Sequence, residues 1–198
     1  MNRTSIAKAA AIVRGGGLIV YPTDTVYGLG CDPFDARAVH RLFEAKGRAS
    51  KPVPVLCSTE ARADALVELS PRARKLAKEN WPGALTIVAP LKKALPVELT
   101  QGASTLGVRV PAHEGCRRLI SQCGGWLTGT SANLSGRPSA RTATEASQQI
   151  GESVDLILDG GHLKEMASTV VKVVDNTVTI LRTGPVGVGK EEKVRRTS

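Results

Sequence analysis

Aromatic side chains make up only 3% of this 198-residue chain, and Tyr21, Tyr27, Phe34, Phe43, Trp81 and Trp126 are all of them. So few rings argue against gripping single-stranded nucleic acid by base stacking, which needs exposed aromatic platforms. The 4 cysteines (Cys31, Cys57, Cys116, Cys123) contain no C-x-x-C pair. His113, Cys116 and Cys123 lie close together but at no usual zinc spacing, so buried thiols in a reducing compartment are expected. The 3 histidines, His40, His113 and His162, complete no Ser-His-Asp set. His40 reads as a structural residue in mid-helix. No apolar run reaches the roughly 20 residues of a membrane span. Lys8 and Arg14 interrupt any signal-peptide core. The first 23 residues carry no acid, as in a mitochondrial transit peptide, yet they run directly into the first core strand. A cytoplasmic protein is the expectation.

One glycine-rich stretch invites a phosphate-loop reading. Residues 184–190 read G-P-V-G-V-G-K and meet G-x-x-x-x-G-K. The next residue is Glu191 rather than Ser or Thr, and only eight residues follow Lys190. A phosphate loop needs a strand before it and a long helix after it. The stretch is therefore read as a terminal loop, and Lys190→Ala is expected to leave any nucleotide affinity nearly unchanged.

What remains is a globular composition: 41% hydrophobic, with 20 glycines and 11 prolines for tight connections. Its length suits one domain with a proper core. Net charge is +9, which suits a nucleotide, a phosphate-rich substrate or RNA, or simply a solvated basic surface. Lys190, Lys193, Arg195 and Arg196 place part of that excess in a basic tail, 188–198.

Helical spacing predicts helices over 5–14, from a cap at Asp35 through Phe43, over 60–67, 71–79, 114–122 and 142–150. Buried or alternating runs predict strands at 18–21, 53–57, 84–89, 106–110, 126–130, 154–159, 168–174 and 177–182. Pro54 suggests an edge or bulge, and Asp175-Asn176 a hairpin turn. Helical crossovers beside a hairpin imply one α/β domain with a mixed sheet.

Polar groups gather at strand ends, where α/β sheets commonly bind ligands. The loop P-T-D-T-V-Y-G-L-G follows the first strand. Its Gly28-x-Gly30 starts a dinucleotide fingerprint, but the third glycine position is Pro33. The loop is either a binding loop or a turn held by its own Thr and Asp side chains. Lys46 and Arg48, with Lys51 behind them, form either a polyphosphate clamp or basic residues complementing a helix C-terminus. Ser131, Asn133, Ser135 and Ser139 crowd one loop. Arg109 and Arg182 sit in strands, where arginine is costly unless exposed or paired with an anion. Donors predominate over carboxylates, which suits stabilising phosphate charge more than acid–base chemistry.

Taken in order, P-T-D-T-V-Y-G-L-G, K-G-R, W-P-G-A-L-T, G-V-R-V-P, T-S-A-N-L-S-G and S-T-V-V with I-L-R-x-G resemble the YrdC/TsaC-like family of L-threonylcarbamoyladenylate synthases. The resemblance runs over about residues 5–187 and marks 1–187 as a YrdC-like domain, in what is expected to be the short, single-domain form. It implies an open twisted α/β sheet with flanking helices around a basic concave cavity. It also implies synthesis of threonylcarbamoyl-AMP and pyrophosphate from ATP, L-threonine and bicarbonate, with Mg2+ held mainly by the nucleotide. The product would serve tRNA modification through a separate transferase complex. By motif, Lys46 and Arg48 would hold the ATP phosphates and carry catalysis, with Thr105, Asn133 and Arg182 also against ATP. Thr23, Arg109, Ser131 and Ser168 would hold threonine. The chain departs from the family pattern after Arg48, where A-S-K-P-V stands for P-x-x-K-P-L, and at Lys172, where the family has an acid. The alternatives are a module binding double-stranded RNA or tRNA, and carbamoyl-adenylate transfer as in hydrogenase-maturation proteins.

Overall fold

A computed structural model describes residues 1–47, 51–163, 166–174 and 177–188. Arg48, Ser50, the Asp175-Asn176 turn, and Lys190 with the basic tail beyond 188 lie outside the described residues.

The helices begin where side chains satisfy their first amides. Asn2 accepts the Ser5 N–H at 2.8 Å to start α1 (Arg3–Arg14), which buries Ile6, Ala9, Ala10 and Val13 on one face. Asp35 accepts from Arg37 and Ala38 at the head of α2 (Ala36–Ala45), burying Ala38, Val39, Leu42 and Phe43. Thr59, Ser70 and Thr142 cap α3 (Glu60–Asp64), α4 (Pro71–Asn80) and α7 (Ala143–Ile150) in the same way. Between them lies α5 (Val97–Thr100), a single turn that no periodicity announces. Among the described residues no helix is long and apolar enough to cross a membrane.

At α6 (Glu114–Gln122) the cap is His113, whose Nδ1 accepts the Cys116 N–H at 3.0 Å. His113 thus serves helix capping beside a fully buried thiol. Burial holds its imidazole below the usual 6.5, because only the neutral ring can accept. A depressed folded-state pKa means its contribution is complete above 6.5 and is lost as pH falls through the lower value. We expect His113→Ala to cost about 1 kcal/mol. His113→Asn should cap without titrating, so denaturant melts at neutral and mildly acid pH should show a smaller acid loss for it than for the parent.

The α/β class and mixed pairing are present, with the strands divided between two sheets. The smaller runs β7 (Thr130–Ser131), β2 (Gly28–Gly30), β1 (Ile19–Tyr21), β8 (Leu156–Ile157). The larger runs β10 (Thr177–Arg182), β9 (Thr169–Val174), β4 (Leu85–Pro90), β5 (Thr105–Arg109), β3 (Val55–Cys57), β6 (Trp126–Thr128). Pairs β1/β8, β3/β5 and β4/β9 are parallel, and the rest antiparallel. Pro54 marks neither edge nor bulge: it precedes β3, which lies between β5 and β6, so its missing N–H is outside the ladder. The glycines of β2 also have a packing role. A Cβ at Gly28 or Gly30 would come within 2.9 Å or 2.6 Å of the buried Tyr21 ring, whose hydroxyl donates to Thr128 O at 2.7 Å.

After β10 the chain folds back as a loop. A Cβ on Gly184 would stand 2.4 Å from Thr169 N, so only glycine allows this approach. Val186 then exchanges bonds with the Thr169 hydroxyl at 2.9 and 3.1 Å. The described part of the G-P-V-G-V-G-K stretch is therefore a loop closing on β9.

Candidate active site between the sheets

The two sheets converge on a cavity of about 200 Å3. The loop after β1 supplies Thr23, Thr25 and Tyr27, while β3, β4 and β5 supply Leu56, Thr86 and Arg109. Ser131 of β7, Ser168 before β9 and Arg182 ending β10 close it, and Lys51 lies at its side. Chain segments as far apart as Thr23 and Arg182 thus meet in one place.

Arg109 organises one wall and is only 4% exposed. Its Nε donates to Gly83 O at 2.8 Å and its Nη1 to Thr25 Oγ1 at 3.1 Å. Gly83 belongs to W-P-G-A-L-T, so that motif serves as the arginine's rest. Nη2 stands 2.7 Å from the Asp24 carboxylate, a charge contact out of hydrogen-bond alignment. In the same sheet, Arg182 on β10 donates from Nε to Ser168 O at 2.9 Å and from Nη2 to Ser168 Oγ at 3.1 Å. Ser168 Oγ also lies 2.9 Å from Thr86 Oγ1. Burial, and then the charge of Arg109, push the Arg182 guanidinium below its ordinary value. Two guanidiniums thus line one cavity, a chemistry suited to an anion.

The polar side chains around them divide into structure and surface. Thr23 Oγ1 donates to Val26 O at 2.7 Å and accepts the Thr25 N–H at 3.0 Å. Thr23 therefore ties the turn with its own side chain and also lines the cavity. Tyr27 pins the far wall, accepting the Gly160 N–H at 2.9 Å and lying 2.8 Å from Gly161 O.

Lys46 lies behind this wall. It is 7% exposed and ends α2, but its amine leaves the helix's own carbonyls and donates to Ser131 O at 2.7 Å and Asn133 O at 3.0 Å. Its own carbonyl accepts the Ser135 N–H at 3.0 Å. Lys46 therefore staples the T-S-A-N-L-S loop, and an Ala substitution removes loop anchorage along with a cation. Burial pushes its pKa down to about 8. The burial cost of its charge is complete below 8 and disappears above 10.5, so this residue's contribution to stability rises with pH between those values.

Asn133 is buried too. Its Nδ2 donates to Leu134 O and Arg137 O, both at 2.8 Å, which fixes the amide. That leaves Oδ1 buried with no donor among the described residues. Thr105 is not brought to this cavity. It begins β5, at the opposite end from Arg109, and lines a separate groove with Glu68, Ser70 and Lys172. Of the residues singled out by sequence, Thr23, Arg109, Ser131, Ser168 and Arg182 share the cavity, with Lys46 and Asn133 fixed to its Ser131 wall. Sequence reasoning passed over Thr86, and it missed Asp24 and Thr25 as partners of Arg109. The signal available for Asp24 and Thr25 was the acid and second hydroxyl of P-T-D-T.

Comparison with known proteins places this arrangement. The Sua5/YciO/YrdC family model, described as telomere recombination, matches residues 11–184. The threonylcarbamoyl-AMP synthase of Pyrococcus abyssi is 38% identical over 189 residues, covering 94% of this chain and 56% of that protein. The chain thus spans about half the length of that relative. A crystal structure of P. abyssi Sua5 complexed with L-threonine superposes with a TM-score of 0.88 at 36% identity, over 93% of this chain and 55% of that one. E. coli YciO gives 0.85 at 31% identity, over 92% of this chain and 90% of its own. With a family model over most of its length and these structural likenesses, the chain belongs to the Sua5/YciO/YrdC family.

Proposed function

We propose that the chain is an L-threonylcarbamoyladenylate synthase, making threonylcarbamoyl-AMP, pyrophosphate and water from ATP, L-threonine and bicarbonate. The product would pass to a separate transferase complex that modifies tRNA. The observation that carries this reading is the pair Arg109 and Arg182 lining one cavity among Thr and Ser hydroxyls. It is supported by the 36% identical relative whose crystal structure is complexed with L-threonine.

The chemistry needs two anions brought together. Threonine's amine condenses with bicarbonate, losing water, to give an N-carboxylate. One carboxylate oxygen then bonds to the α-phosphorus, and the bond to pyrophosphate breaks with its electron pair leaving on that group. Arg109 takes the threonine carboxylate, with Ser131 and Ser168 orienting the amino acid and Thr23 holding the loop. Arg182 and Lys46 spread the phosphate charge, which is worth more in a half-buried site than in water. Arg48 joins this set by motif alone.

Magnesium fits as the nucleotide's companion. The donorless Oδ1 of Asn133 is a hard, neutral oxygen, suited to a Mg2+-bound water or the ion itself. When bound, the ion would draw charge from the phosphates. To test the reading, incubation with ATP, L-threonine, bicarbonate and Mg2+ should yield the mass of threonylcarbamoyl-AMP by rapid chromatography. Only AMP or unchanged ATP, with all components present, would refute it.

A further inference from the structure

The partner of Arg109 invites a closer look. Asp24 follows Thr23 on the loop between β1 and β2, and its side chain is 15% exposed against 5% for that of Arg109. The guanidinium does not need Asp24 to stay in place. Nε rests on Gly83 O and Nη1 on Thr25 Oγ1. Only Nη2 meets Asp24, at 2.7 Å, and neither that nitrogen nor Asp24 Oδ1 makes an aligned hydrogen bond. Two fixed bonds thus aim the fork, and a third direction is filled by charge alone. Arg182 lines the same cavity and feels the charge of Arg109, so an unmasked Arg109 would attract any small anion.

We propose that Asp24 is the resting counter-ion of Arg109, which the carboxylate of the amino-acid substrate displaces from Nη2. Asp24 is then a positioning residue that sets selectivity. A planar carboxylate on a correctly seated amino acid gains two aligned bonds to the fork and wins the exchange. Chloride, a single sphere with no pair of oxygens, gains no such bidentate match and is turned away. The cost of displacing Asp24 is part of every binding event, so threonine binds less tightly than it would to a bare guanidinium.

The inference rests on the threonine reading above, and calorimetry of the full chain separates the two. Failure of the unaltered protein to bind L-threonine would defeat that reading itself. Given binding, Asp24→Asn is expected to bind L-threonine about tenfold more tightly, one decade in Kd. It should also become sensitive to competing chloride. L-threoninamide, which has no carboxylate, should bind both forms alike. Asp24→Glu should behave as the parent does. Unchanged or weaker threonine binding by Asp24→Asn would overturn the proposal, since a purely structural acid predicts weaker binding of both ligands. Should Asp24→Asn not fold, the parent decides. Replacing chloride by a bulky anion at constant ionic strength should leave threonine affinity unchanged, and strong chloride competition would contradict a masked Arg109.

Discussion

Arg109→Ala is expected to raise the threonine concentration needed for half-maximal pyrophosphate release by roughly 10- to 150-fold, the equivalent of about 1.5–3 kcal/mol for a charge-assisted contact. The KM for ATP should move far less, because the phosphates are assigned to Arg182 on β10 and to Lys46 rather than to Arg109 on β5. The same change leaves Asp24, Gly83 O and Thr25 Oγ1 without their partner. Breaking a buried ion pair by removing one member costs about 3 kcal/mol or more, so the denaturation midpoint should fall as well. Arg109→Lys separates the effects. It keeps a positive charge near Asp24 and should recover part of the stability, but it cannot present a planar fork and should recover little affinity. Threonine titrations and urea melts on both variants check this. Equal KM values for threonine in the parent and Arg109→Ala would remove Arg109 from the substrate site.

The second large effect concerns substrate choice. Threonine and valine have nearly equal volume and differ by a hydroxyl in place of a methyl. A merely apolar pocket separates such isosteres poorly, by about 100-fold, whereas a site that hydrogen-bonds the hydroxyl rejects its absence by roughly 10,000-fold. This cavity is lined by hydroxyls of Thr25, Thr86, Ser131 and Ser168. Thr23 contributes less than its position suggests, because Val26 O and Thr25 N already engage its hydroxyl. Valine is therefore expected to be used at least 1,000-fold less well than threonine, by roughly the same argument. Serine keeps the hydroxyl and loses one methyl contact, so it should fall only about 10- to 200-fold. Specificity constants for the three amino acids at matched ATP and bicarbonate test the point, and equal values for threonine and valine would sink it.

Much of the fold was legible because local signals carried it. Asp35 announced α2 as a cap followed by apolar residues at helical spacing, and the run 84–89 marked β4 by continuous apolar character. What was not legible depends on contacts distant in sequence. Three residues with two glycines carry no strand signal, and Gly28–Gly30 become β2 through pairing with β1 and β7 and the ring of Tyr21. The division into two sheets is likewise a matter of pairing, which alternation cannot report. Only 156–157 of the apolar run 154–159 forms a strand, since it pairs with the short β1 alone. At the site, Arg109 and Arg182 stood out because arginine is rare inside apolar strands. Lys46 was harder to read, because its amine bonds to carbonyls 85 and 87 residues away. Thr86 and Asp24 carry ordinary side chains in ordinary places, and only the folded cavity gives them a role.

If one site joins threonine, bicarbonate and ATP, pyrophosphate release should need every one of them. Release measured with all substrates and Mg2+, then with threonine or bicarbonate omitted in turn, should collapse to background when either is withheld. Release from ATP that proceeds at the full rate without threonine would contradict it.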